Sequence, residues 1–136
     1  MHNELTLLRK TPMIIPIDYI GIQKSSGRGL WIFTEDWTYG GFTVKKGFVT
    51  DGGSIPRPLW FFLNPTGQGM AAYVIHDWLY TTHELSRLES DKVLYDLLIK
   101  LDIGWFPSLS AFWAVRAFGG GKRSWDAPGP TENDAM

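Results

Sequence analysis

Apolar residues follow two rhythms along this chain, and the change falls near Asp51. Before it, short runs rich in β-branched and aromatic residues alternate with turn residues, which is the pattern of strands. Met13-Ile14-Ile15-Pro16-Ile17 is interrupted by proline and predicts an edge strand or the start of one. Ser25-Ser26-Gly27-Arg28-Gly29 reads as a turn, and Leu30-Trp31-Ile32-Phe33-Thr34 as a strand. Asp36-Trp37-Thr38-Tyr39 and Phe42-Thr43-Val44 flank Gly40-Gly41, a hairpin signal. Lys45-Lys46-Gly47 then turns the chain into Phe48-Val49-Thr50.

After Asp51 the spacing becomes helical. Asp51-Gly52-Gly53-Ser54-Ile55-Pro56 is a turn with capping side chains, and the apolar stretch 57–63 reads as a short helix. Asn64-Pro65-Thr66-Gly67-Gln68-Gly69 is a second loop. A helix is expected from about Gln68 to Tyr80, with Ala72, His76 and Tyr80 on one face. A second starts at Ser86, where Ser86-x-x-Glu89 is a capping box. Its expected inward stripe is Leu88, Asp91, Leu94, Tyr95, Leu98 and Leu101. The short break between them predicts an antiparallel helical hairpin. Pro107 opens a third helix, with Leu109, Phe112, Trp113 and Arg116 on one side and Gly119-Gly120-Gly121 ending it. The reading is one α+β domain over 1–125: antiparallel β hairpins packed with a three-helix region, then a loose polar tail over 126–136.

Composition narrows the function classes. The 136 residues are 44% hydrophobic and 15% aromatic, which suits a folded core. Net charge is −1, so nucleic acid is not an expected partner. Cysteine is absent, which excludes disulfides, thiolate metal sites and a thiol nucleophile. No apolar run is long enough to span a bilayer, and the N-terminus lacks a signal-peptide pattern. The lack of cysteine fits a reducing cytoplasm.

The candidate chemistry lies in the helical hairpin. His76 and Asp77 are adjacent in an apolar helix, and Asp91 sits on the apolar face of the next. Buried polar groups need partners, so Asp91 is expected to bond one imidazole nitrogen of His76. The other nitrogen would then be free to take a proton from water. Tyr80 and Tyr95 could donate to the same carboxylate, and Arg116 could pair with Asp91 or Asp51. The same residues could equally form a buried structural network. Asp51 could join His76 and Asp77 as a further carboxylate, a donor set suited to calcium more than zinc. A Ser54–His76–Asp91 triad is formally possible, but no nucleophile-elbow pattern surrounds Ser54. His83, in the break between helices, is expected to be solvated, and the Trp-rich stripes to be core.

Thr50-Asp51-x-x-Ser54-x-Pro56-Arg57, His76-Asp77-x-Leu79-Tyr80, Ser86-Arg87-x-x-Ser90-Asp91 and Val115-Arg116-x-x-Gly119 occur in this order. Together they resemble a family of small proteins of tailed bacteriophages and prophages, a domain of unknown function, over about residues 42–120. That resemblance implies a phage or prophage origin, with the bacterial host's cytoplasm or the virion as the expected location, and no particular activity. His76-Asp77-x-x-Tyr80 with Asp91 also resembles, over about 62–98, the secretory phospholipase A-two group and the lipase segments of parvovirus capsids. This second resemblance implies His76 as general base, Asp91 as its orienting partner, and calcium held by Asp77 and the backbone of Gly67 and Gly69. Lipid would then be a partner, met by Trp60-Phe61-Phe62; the alternative partners are other virion proteins.

Overall fold

Strand and turn residues near the N-terminus set up the sheets that the helices cover. The computed structural model describes residues 14–25, 27–51, 69–120 and 125–136. Strand β1 (Ile17–Ile22) pairs antiparallel with β2 (Gly29–Phe33), and β2 pairs antiparallel with β5 (Val49–Thr50), giving the order β1-β2-β5. Strands β3 (Trp37–Tyr39) and β4 (Phe42–Val44) form a separate hairpin, Trp37 opposite Val44. Gly40 and Gly41 both adopt positive φ, 60° and 86°, which a two-residue turn between twisted strands demands. Thr38 and Thr43 bridge the hairpin through hydroxyls 2.8 Å apart.

Helix α1 (Met70–Thr82) and helix α2 (Arg87–Lys100) form the hairpin, and helix α3 (Trp105–Phe118) packs on α2. Ser86 caps α2 by accepting from the Glu89 amide at 3.2 Å. His83 ends α1 in the left-handed region, with its amide on the Leu79 carbonyl. The core joins Phe33 and Val44 of the sheets to Tyr73, Ile75 and Leu79 of α1, Leu94 and Leu98 of α2, and Val115 of α3. The class is α+β, as the sequence predicts.

Three expectations need correction. Tyr95 lies only partly buried, Leu88 is exposed, and Leu97 takes an inward place on α2. Helix α3 turns its large apolar residues outward: Trp105, Leu109 and Trp113 are exposed, while Ser108, Ala111, Ala114 and Val115 are buried. Mostly small side chains fill the buried face of α3, and the larger ones are left on its outer face. The third correction is the tail. Thr131 caps a 3-10 turn over Glu132–Asp134, and the backbone continues along β1. The Met136 amide donates to the Ile22 carbonyl at 2.9 Å, and the Lys24 amide to that of Asp134 at 2.9 Å. A Cβ at Gly21 would fall 2.5 Å from the Met136 carbonyl oxygen, so this residue must stay small for the tail to dock.

Candidate functional site

The short α1–α2 connection brings one turn of each helix face to face, and Asp91 is the point where they meet. Its carboxylate is fully buried, at 0% exposure. Oδ1 lies 2.8 Å from His76 Nε2 and accepts from the Tyr80 hydroxyl at 2.6 Å. Oδ2 accepts from Arg116 Nη1 at 2.8 Å. Burial alone would raise the Asp91 pKa, but the bonds from His76, Tyr80 and Arg116 outweigh it and hold the group below its ordinary value. The Tyr80 hydroxyl is pushed well above its usual range, first by burial and then by its bond to the Asp91 carboxylate.

Among the described residues, His76 has a partner at Nε2 and none at Nδ1. Its side chain keeps 9% of its surface open. The ring lies against that of Tyr80, centroids 4.2 Å apart.

A second layer holds this network. Arg87 donates from Nε to the Tyr80 hydroxyl at 3.2 Å. Its Nη2 donates to the carbonyls of Val115 and Arg116, each at 2.7 Å. One guanidinium therefore caps the C-terminal end of α3 and fixes Tyr80. A Cβ at Gly119 would sit 2.8 Å from the Tyr80 hydroxyl, which accounts for a glycine there. Trp125 closes the end of the layer, edge-on to Tyr80 at 5.1 Å. His83 is exposed, as expected, and it also stacks on Trp125 at 3.7 Å and bonds its carbonyl at 2.9 Å.

Asp77 leaves α1 in another direction, toward β5. It is half-buried and accepts from the Thr50 hydroxyl at 2.6 Å. Burial and the neighbouring Asp51 charge push its pKa up to about 8, against the pull of the Thr50 bond. Asp51 in turn faces Arg28, Oδ2 to Nη1 3.8 Å. Asp51 thus lies close enough to Asp77 for their charges to interact, and Arg116 pairs with Asp91.

The remaining candidates fall elsewhere. Tyr95 makes no bond to Asp91; it lines a groove between α2 and α3 with Lys92, Asp96, Leu109 and Phe112. The Gly69 carbonyl accepts from the Ala72 and Tyr73 amides, which commits it to the first turn of α1. Ser54, Gly67 and the aromatic run 60–62 lie outside the described residues. Among the described residues, no group of three or more His, Cys, Asp or Glu is arranged to hold a metal ion. Sequence reasoning missed Arg87 and Thr50 as partners, although each is adjacent to a residue it singled out, Ser86 and Asp51.

The family is decided by residues 31–115, which match the model of the family described as "Protein of unknown function (DUF1353)". The chain belongs to this family. The matched span runs from β2 into α3 and holds Asp51, His76, Asp77, Asp91 and Arg87. No curated protein and no solved structure matches the chain. Among the described residues, no helix is long and apolar enough to cross a membrane.

Proposed function

We propose that this DUF1353 chain is a phage or prophage hydrolase-like protein in which His76 activates water for attack on an ester. The observation that carries the reading is the division of labour on the imidazole. Nε2 is tied to a buried carboxylate, while Nδ1 has no partner among the described residues and 9% of the side chain stays open. A carboxylate on Nε2 fixes the tautomer with the proton on that nitrogen and stabilises the imidazolium formed when Nδ1 takes a proton. Arg116 and Tyr80 keep Asp91 ionised and aligned for this task. Asp77, with Asp51 beside it, would hold a divalent cation; the adjacent carboxylates repel each other, and a cation would relieve that. Such an ion, calcium by its oxygen preference, would polarise the ester carbonyl. Phospholipid is the substrate class that the local resemblance favours, acting in the host or from the virion.

One observation favours a second reading. Asp91 is sealed and fully served by three donors, which is also what a structural clamp between the helices needs. In that case the protein is a non-enzymatic virion component or host-interaction factor. His76→Gln separates the two, with phospholipid vesicles and a model ester as substrates, with and without calcium. The hydrolase reading expects wild-type cleavage and a loss of about 10²–10⁴ in the folded variant. An inactive wild type across the lipid panel, with His76→Gln lowering only stability, leaves the clamp.

A further inference from the structure

The α2–α3 face opposite the core carries a cluster of exposed apolar residues that the site does not use. Trp105 and Trp113 of α3 are 68% and 61% exposed, and Phe106 and Leu109 are also exposed. Leu88 and Ile99 extend the surface onto α2. Aromatic side chains bury about 150–250 Å² each, so the three aromatics expose roughly 400 Å², and Leu109, Leu88 and Ile99 bring the mainly apolar surface to on the order of 600 Å². That is at the upper end for a typical monomer's largest patch and most of the roughly 800 Å² each partner contributes to a standard interface.

We propose that this face is a two-fold interface between copies of this chain. A closed two-fold contact requires the patch to complement itself, and this one carries both halves of the fit. It has a hole: the groove of about 230 Å³ lined by Lys92, Tyr95, Asp96, Leu109 and Phe112. That volume is below the range of drug-sized ligand sites and suits one large side chain. It has knobs: Trp105 and Trp113 stand four residues either side of Leu109, one turn from the groove in each direction. Tryptophan in a pocket at the centre of a patch is the usual anchor of a tight interface.

The charges complement themselves as well. Lys92 and Asp96 lie one turn apart on the groove wall, and among the described residues neither takes part in an ion pair. When α2 of one copy lies antiparallel to α2 of the other, Lys92 of each copy meets Asp96 of its mate, and the contact occurs twice. A membrane surface fits less well, because it would call for an excess of Lys and Arg around the apolar residues. Here the groove wall is balanced, one cation to one anion. The proposal is independent of the chemistry at His76.

Sedimentation equilibrium of the full chain at micromolar concentration tests it. The expected mass is twice the 15.4 kDa of one chain. Trp113→Asp, at an exposed site, should keep the circular dichroism of wild type and weaken dimerisation about 30-fold or more. Lys92→Glu places acid against acid at both contacts and should weaken it about 10-fold, and adding Asp96→Lys should restore it. A monomeric wild type overturns the proposal, whether or not it binds phosphatidylcholine–phosphatidylglycerol vesicles. A dimer indifferent to both Trp113→Asp and Lys92→Glu overturns it too.

Discussion

Two seams of this molecule each take a carboxylate out of water, and they treat it in opposite ways. At the junction of α1, α2 and α3, Asp91 receives three side-chain donors, one of them a guanidinium, and its pKa falls despite full burial. At the junction of β5 and α1, Asp77 receives one hydroxyl and faces a second acid, and its pKa rises. The two residues are carried by helices that pack against each other. What differs is the supply of partners. A saturated carboxylate is a fixed structural charge that can orient an imidazole. An under-supplied one next to a like charge is a place where a proton or a cation would be welcome.

Breaking the first seam should have the largest effect on stability. Asp91→Ala strands His76, Tyr80 and Arg116 around a cavity, and removing one member of a buried ion pair costs about 3–5 kcal/mol. For a chain of this size that corresponds to a fall in Tm of roughly 10 °C or more, read by differential scanning calorimetry. An unchanged Tm would show that the three donors find equivalent partners without Asp91, and the contrast with Asp77 would lose its basis.

The seams also differ in how far they were legible in the sequence. The Asp91 seam depends on local rules: helical spacing put His76 and Tyr80 on one face, and a short connection brought α2 alongside. The Gly40-Gly41 turn and the Ser86 cap were readable for the same reason, since each is decided within a few residues. The supporting role of Arg87 was not, because its acceptors at 115 and 116 lie on a third helix. Periodicity located an apolar stripe on α3 but carried no information on which way it would face; the small residues Ser108, Ala111 and Ala114 decided that. The docked tail left no compositional trace, since amide and carbonyl groups pair whatever side chains they carry. Thr50 reaching Asp77 joins a strand to a helix 27 residues later, a contact that only the folded chain reveals.

Neutralising the second seam should have a smaller effect of opposite sign. The folded-state pKa of Asp77 lies above its ordinary value, so the native chain holds a proton that the unfolded chain releases. Stability therefore falls as pH rises from the ordinary carboxylate range toward about 8, and the penalty is fully present above that. Asp77→Asn keeps the Thr50 hydrogen bond without the charge. It should be more stable than wild type by about 1–3 kcal/mol under alkaline conditions, the gap closing as pH falls toward the ordinary carboxylate pKa. Urea unfolding across that interval measures it. Millimolar calcium sharpens the comparison: if a cation sits at Asp77 and Asp51, it should raise the Tm of wild type at high pH and leave Asp77→Asn unmoved.

The smallest change asks how much redundancy the first seam holds. Tyr80→Phe removes one donor from Asp91 Oδ1 while His76 stays on the same oxygen and Arg116 on the other. Arg87 loses the hydroxyl at Nε but keeps both α3 carbonyls on Nη2. No charge is stranded, so the cost should be that of one hydrogen bond, about 0.5–1.5 kcal/mol. The pH dependence is the more telling readout. Burial raises the Asp91 pKa, and three donors together lower it past the ordinary value; with one gone, the folded-state pKa moves back up. A depressed carboxylate pKa gives stability that is present above the unfolded value and lost as pH falls through the folded one. In Tyr80→Phe the folded-state pKa lies closer to the unfolded one, so that loss should be smaller and complete at higher pH than in wild type. An acid unfolding profile unchanged from wild type would mean that Arg116 and His76 alone hold the charge, and that Tyr80 serves the packing against His76 and Trp125 instead.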